Sequence, residues 1–464
     1  MSPVRTLSSL FGSASLFSLA ALCGAFLSPG SEARAADVQI GAELGHSVID
    51  TKSSDRVYLR LSLKTLAAKA RKDRAPINVA IVVDRSGSMS GDRLAAAKKG
   101  AQVALDRLGS DDVVSLVSYN HEVEVLREAG KVGSDRSKLE RAIESLSASG
   151  TTALYAGVKE GGEQVKTFRS DLQVNRVVLL SDGLANVGPS TPGELANLGR
   201  ELAAKGITVS TIGLGLEYNE DLMQRLAAAS DGNHVFVERP SDLAEIFDRE
   251  FGDALSIAAR DIIINIECKD GFKPKRVLGR EGDISGSRIT LKLNQLQVEN
   301  ERYVVVELEA PTGRSTSASD GDVANVEVDY LNLESGTRAS AKTNVRARFS
   351  DDAKEAEASV NKGVMSQVTE QVATENSERA VELRDKGDVA AAKKALEENA
   401  SYLNRQKDVL GSGAAAAPKA SISTLDKLEE KSREAAASLE GENWEKTRKV
   451  MRQDQHKSKV QQAY

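Results

Sequence analysis

Cysteine, histidine and aromatic residues are scarce in this chain of 464 residues, and each scarcity narrows what it can be. There are two cysteines. Cys23 falls in an N-terminal stretch expected to be removed, which leaves Cys268 alone and excludes an intrachain disulfide framework. The domains must then be held by core size rather than by the bridges common in small exported domains. Cys268 lies on the apolar side of Ile262-x-Ile264-x-Ile266-x-Cys268 and reads as a buried core thiol. The four histidines (His46, His121, His234 and His456) show no metal-ligand spacing. No Gly-x-Ser-x-Gly turn, Walker loop or His-Glu-x-x-His occurs, so the common hydrolase signatures are missing. Aromatics make up 4% of the chain, so its cores must be built from Val, Leu, Ile and Ala. Lys and Arg (62) and Asp and Glu (68) are interspersed, with no concentrated basic face before the C-terminal tail; nucleic acid is not an expected partner.

What is present divides into several parts, as the length suggests. Arg5, an apolar stretch from about Leu16 to Leu27 and Ala33-Arg34-Ala35 read as a secretory signal over 1–35. The apolar run is too short and interrupted to span a bilayer, so no transmembrane segment is expected in the mature chain. Its destination would be periplasmic, cell-surface or secreted. Residues 76–254 alternate strand and helix signals, the pattern of an α/β domain with a doubly wound, mostly parallel sheet and helices on both faces. On either side the period is two. Val57, Leu59, Leu61 and Leu63 alternate with Tyr58, Arg60, Ser62 and Lys64, and Ile289, Leu291 and Leu293 do likewise. Residues 36–75 and 255–350 are therefore expected to form one β-sandwich, into which the α/β domain is inserted. Residues 351–410 read as a helical hairpin about Lys386-Gly387-Asp388, 411–422 as a linker, and 423–464 as one charged helix with a frayed tail.

The run Ile81-Val82-Val83-Asp84-Arg85-Ser86-Gly87-Ser88 ends an apolar strand in one carboxylate and two hydroxyls at alternating positions. Asp84, Ser86 and Ser88 can converge just beyond the strand, where open α/β sheets bind ligands. Ser149-Gly150-Thr151-Thr152-Ala153-Leu154-Tyr155 adds a loop with hydroxyls, and Val177-Val178-Leu179-Leu180-Ser181-Asp182-Gly183 a second strand ending in a carboxylate. Hard oxygen donors with few carboxylates suit Mg²⁺. Paired carboxylates beside hydroxyls are better explained as cation ligands than as an acid/base pair, because hydroxyls do little for proton transfer.

With these three segments the chain resembles the von Willebrand factor type A family, whose metal-ion-dependent adhesion site joins Asp-x-Ser-x-Ser, a Thr and a distant Asp. Thr211-Ile212-Gly213-Leu214-Gly215 and the helix after it also look like the late part of that family, so the resemblance covers nearly 180 residues. It implies metal ligation by Asp84, Ser86, Ser88, Thr152 and Asp182, with Thr152 matching the family's loop better than Thr151. It also implies Mg²⁺, or Mn²⁺ or Ca²⁺, as the ion, and a protein partner presenting Asp or Glu to it. Capture in that family sometimes moves the last helix, here Leu243–Phe251. The expected function is an exported protein of bacterial type that binds proteins through the metal, in adhesion or envelope assembly, and is not an enzyme. The alternatives are a scaffold whose site is not used for capture, and a metal-dependent hydrolase.

Overall fold

The structure, a computed structural model, describes residues 38–50, 52, 56–65, 74–311, 320–412, 416–441 and 443–461. The expected signal segment, 1–35, lies outside them. The chain opens with strands β1 (Val38–Leu44), β2 (Val48–Asp50) and β3 (Arg56–Thr65). It then enters an α/β unit: β4 (Ile77–Asp84), α1 (Asp92–Arg107), β5 (Val113–Tyr119), β6 (Val123–Lys131), α2 (Val132–Ser145), α3 (Leu154–Thr167), β7 (Val174–Ser181), α4 (Pro192–Ala203), β8 (Thr208–Leu214), α5 (Glu220–Ala229), β9 (His234–Val237) and α6 (Leu243–Leu255). The sheet order is β6-β5-β4-β7-β8-β9, parallel except for the antiparallel edge strand β6. Side-chain alternation along the buried strands feeds two cores. Ile77, Val79, Ile81 and Val83 pack towards α1, α2 and α6, whereas Ala80 and Val82 pack towards α3, α4 and α5. Gly161 lets α3 lie directly on the sheet, since a Cβ there would stand 2.5 Å from Val82 Cγ2.

Beyond this unit come β10 (Ile257–Cys268), β11 (Lys273–Leu278), β12 (Asp283–Ser285), β13 (Arg288–Gln297), β14 (Glu301–Glu309), β15 (Gly321–Asn332) and β16 (Thr337–Ser350). Two sheets form, ordered β1-β3-β14-β11 and β12-β13-β10-β15-β16-β2. The N-terminal strands are thus hydrogen-bonded into sheets made mostly after the α/β unit. Leu59, Leu61 and Leu63 share one core with Ile262, Ile264, Ile266, Leu291 and Val306. Cys268 lies buried at its margin, where burial pushes the thiol up to about 11.

The C-terminal part is helical: α7 (Ala353–Ala358), α8 (Lys362–Asp385), α9 (Val389–Gly411), α10 (Lys419–Ser438) and α11 (Trp444–Val460). Val364 and Val368 of α8 cover Leu278, Tyr303 and Val305 on the outer face of the first sheet. Two expectations change here. The linker 411–422 is shorter, because α9 runs through Gly411 and Pro418 starts α10 at Lys419; proline suits a helix start, where no N–H is needed. The single helix from 423 is two helices, broken at Gly441, and the second is docked rather than frayed as far as Val460. In α11, Lys449 Nζ donates to Tyr218 O (2.7 Å) and Glu220 Oε2 (2.6 Å), and Gln453 Oε1 accepts from the N–H of Phe236 in β9. His456 Nε2 sits 2.8 Å from Gly232 O.

His456 faces His234 edge-on, their ring centroids 6.2 Å apart, and both are buried. Burial pushes His456 down to about 4, against about 6.5 when unfolded. A depressed histidine stabilises the fold fully above its unfolded pKa and loses that contribution as pH falls towards the folded one. The melting temperature should therefore drop between about pH 6.5 and about pH 4, and His456→Gln should flatten that slope. Equal slopes in the two proteins, measured by thermal denaturation across this range, would assign the acid sensitivity elsewhere.

Candidate metal centre

β4 and β7 run parallel, so Asp84 and Asp182 emerge at the same edge of the sheet. Asp84 is wholly buried; its carboxylate accepts from the N–H of Ser86 (2.8 Å) and the hydroxyl of Ser181 (2.6 Å). A turn of 3₁₀ helix, Gly87–Met89, follows, with buried Met89 pinning it to the core. Ser86 Oγ and Ser88 Oγ are 3.0 Å apart, and Ser88 donates to Asp182 Oδ1 at 2.8 Å. The threonine loop is tied to this turn by Gly87 N–H to Gly150 O (3.0 Å) and Ser149 N–H to Arg85 O (2.8 Å). Of the adjacent threonines, Thr151 is exposed and Thr152 buried, its N–H held by Asn186 Oδ1.

Gly183 marks where these groups meet. A Cβ on it would lie 3.1 Å from Thr152 Oγ1, 3.5 Å from Ser88 Oγ and 3.7 Å from Asp84 Oδ2. Two loops thus place oxygens about one small space, and Ser86 and Asp182, the latter from the third loop, are bonded to Ser88 beside it. All five expected residues are brought together. Their chemistry fits a hard dication: two carboxylates and three hydroxyls, with no group of three or more His, Cys, Asp or Glu among the described residues. Burial raises the Asp84 carboxyl to about 6, and the nearby charge of Asp182 adds to this.

Sequence reasoning missed four neighbours: Ser181, Asn186, Arg93 and Glu217. Arg93 Nη1 donates to Asp182 Oδ2 at 2.6 Å and Nη2 to Glu217 Oε2 at 2.9 Å. A signal was available, since Arg93 stands in the first turn of α1, where the helix dipole disfavours a positive charge. Such a local conflict often marks a functional place.

Comparison with known proteins agrees with this architecture. The family model for the von Willebrand factor type A domain matches residues 78–249. The α/β unit is thus the part of the chain that matches the von Willebrand factor type A domain. It is similar to an uncharacterized protein of Synechocystis, 32% identical over 188 residues, which cover 40% of this chain and 44% of the relative. It is also similar to human inter-alpha-trypsin inhibitor heavy chain H3, 26% identical over 172 residues, or 35% of this chain and 19% of the relative. The match thus spans less than half the length of either curated relative. Among solved structures, a von Willebrand factor type A protein from Catenulispora acidiphila superposes with a TM-score of 0.66 at 17% identity, over 86% of this chain and 97% of its own. That likeness is one of fold, and its coverage extends beyond residues 78–249. Among the described residues no helix is long and apolar enough to cross a membrane.

Proposed function

We propose that the chain is an exported module that binds a partner protein through a divalent cation, Mg²⁺ or Mn²⁺, held by Asp84, Ser86, Ser88, Thr152 and Asp182. The observation that carries this reading is the convergence of Asp84, Ser88 and Thr152 oxygens on the space beside Gly183, with Asp182 of the third loop hydrogen-bonded to Ser88. A dication there would supply a Lewis-acidic position for a partner's Asp or Glu carboxylate. Asp84 and Ser86 are buried and fix the inner side of the site, while Ser88 is exposed and opens it to a ligand. Two carboxylates balance a dication without over-neutralising it when only hydroxyls complete the set. The kinship with inter-alpha-trypsin inhibitor heavy chains, components of a named protein inhibitor, supports a role in protein association. The N-terminal apolar stretch with its Ala-x-Ala site supports export.

Asp84→Ala removes a ligand and half of the balancing charge, and should weaken Mg²⁺ binding by more than about tenfold in calorimetry; Thr152→Ala should weaken it less. Asp84→Ala should keep a single cooperative melting transition, since Asp84, though buried, ends β4 and belongs to neither apolar core. Equal affinity in wild type and Asp84→Ala would remove the site. Affinity capture from exported proteins, with Mg²⁺ and then with a chelator, tests the partner. A scaffold reading has one observation in its favour: Ser88 and Arg93 already satisfy both oxygens of Asp182 within the chain.

A further inference from the structure

Arg93 gives that last observation a different meaning. Its guanidinium spans two carboxylates of opposite character: Asp182, with no exposed side-chain surface, and Glu217, 61% exposed. Arg93 itself is 27% exposed, so part of its side chain reaches solvent beside Asp182. Gly215, at φ +76°, lets the arm lie across the loop after β8: a Cβ there would stand 3.0 Å from Glu217 Oε2 and 3.3 Å from Arg93 Nη2. The placement runs against the α1 dipole, so the two carboxylates hold the arm where the helix does not favour it.

The charges about Asp182 then decide the order of events. Asp84, Asp182, Glu217 and Arg93 sum to two negative charges. Adding a dication makes the sum zero, whereas without Arg93 it would stay one negative. A cation entering the site is therefore repelled by Arg93, and the filled site attracts an anion more strongly than the metal alone would.

We propose that Arg93 couples cation loading to capture of an acidic side chain. It competes with the cation for Asp182 and, kept on Glu217 when the cation takes Asp182, becomes a second positive contact for the incoming carboxylate. This rests on the reading of the site as a cation-dependent ligand site. The recognised group is one carboxylate reached by two cations, a pairing that a neutral or basic surface cannot satisfy.

The test uses the full chain, Mn²⁺ as the probe metal read by its electron paramagnetic resonance, and acetate as the probe carboxylate. Arg93→Gln should bind Mn²⁺ about tenfold more tightly than wild type without acetate, because a positive charge has gone. Acetate should tighten Mn²⁺ binding in wild type and do so much less in Arg93→Gln. Arg93→Lys keeps the charge and should stay near wild type in both measurements, which separates charge from shape and stands in if the glutamine variant misfolds. Arg93→Gln binding Mn²⁺ no more tightly than wild type, or responding equally to acetate, would show that Arg93 merely orients Asp182. Wild type binding no Mn²⁺ in either condition would instead defeat the metal site itself. Wild-type binding that is lost in Asp84→Ala but unchanged in Arg93→Gln would defeat the coupling alone.

Discussion

Replacing Glu250 with alanine is expected to lower the unfolding free energy by about 3–5 kcal/mol, the cost of leaving a buried charge without its partner. Glu250 of α6 pairs with Arg176 of β7 at 2.5 Å, and the two side chains are 2% and 1% exposed. The same carboxylate accepts from Asn233 Nδ2 (2.7 Å) and from Ser210. Arg176 Nη2 reaches across to Gln295 Oε1 of β13 at 2.6 Å. One ion pair thus ties the last helix of the α/β unit to its sheet and to the β-sandwich. Losing Glu250 strands the Arg176 guanidinium, which cannot shed its proton to escape the dry interior. Glu250→Gln keeps an acceptor and should cost less than alanine. Arg176→Met with Glu250→Leu, which removes both charges, should recover most of the loss. Urea denaturation measures all three. A cost below about 1 kcal/mol for Glu250→Ala would mean that the guanidinium finds another partner.

Legibility followed the kind of force involved. Apolar periodicity revealed β4, β7 and β3, because a buried strand must carry Val, Ile and Leu whatever it touches. Asp84, Ser86, Ser88, Thr152 and Asp182 stood out because hydroxyls and carboxylates follow apolar strands abruptly. Contacts made by charged groups were opaque. Arg176 is one of three polar residues in Val174–Ser181, and nothing local says that it is paired rather than solvated. The α11 tail reads as a frayed, charged end, yet Arg448 donates to Asp221 (2.6 Å) and Asp385 (2.7 Å), and Lys449 lies 4.2 Å from the Tyr218 ring centre. Charge patterns show solvated helices and docked ones alike; only the partner surface distinguishes them. Arg93 belongs to the same class and was missed, although its conflict with the helix dipole was a signal that could have marked it.

The largest structural effect is expected from removing residues 36–75. β3 lies between β1 and β14, with Leu59 opposite Val306, Leu61 opposite Val304 and Val57 opposite Leu308. Its Leu59, Leu61 and Leu63 are fully buried, each contributing about 2 kcal/mol from burial alone. A chain beginning at residue 76 loses that layer. β14 then becomes an unpaired edge, and Ile262, Ile264 and Ile266 lose the leucines packed with them. Unpaired edges beside uncovered apolar faces invite pairing between chains, so the shortened protein should aggregate rather than melt cooperatively. The α/β unit need not fail with it, because β4 to α6 bring their own two cores; residues 76–254 alone should remain soluble, though weakened where Arg176 loses Gln295. Residues 36–75 supplied as a separate peptide during refolding should restore a monomer, since the missing strands pair through backbone bonds, leucine contacts and side-chain bonds such as Thr65 Oγ1 to Gln297 O, none of them covalent. The decisive measurement is light scattering and thermal melting of the 76–464 chain with and without that peptide. A monomer with the melting temperature of the whole protein, obtained without the peptide, would show that the sandwich closes without its N-terminal strands and would end the insertion architecture.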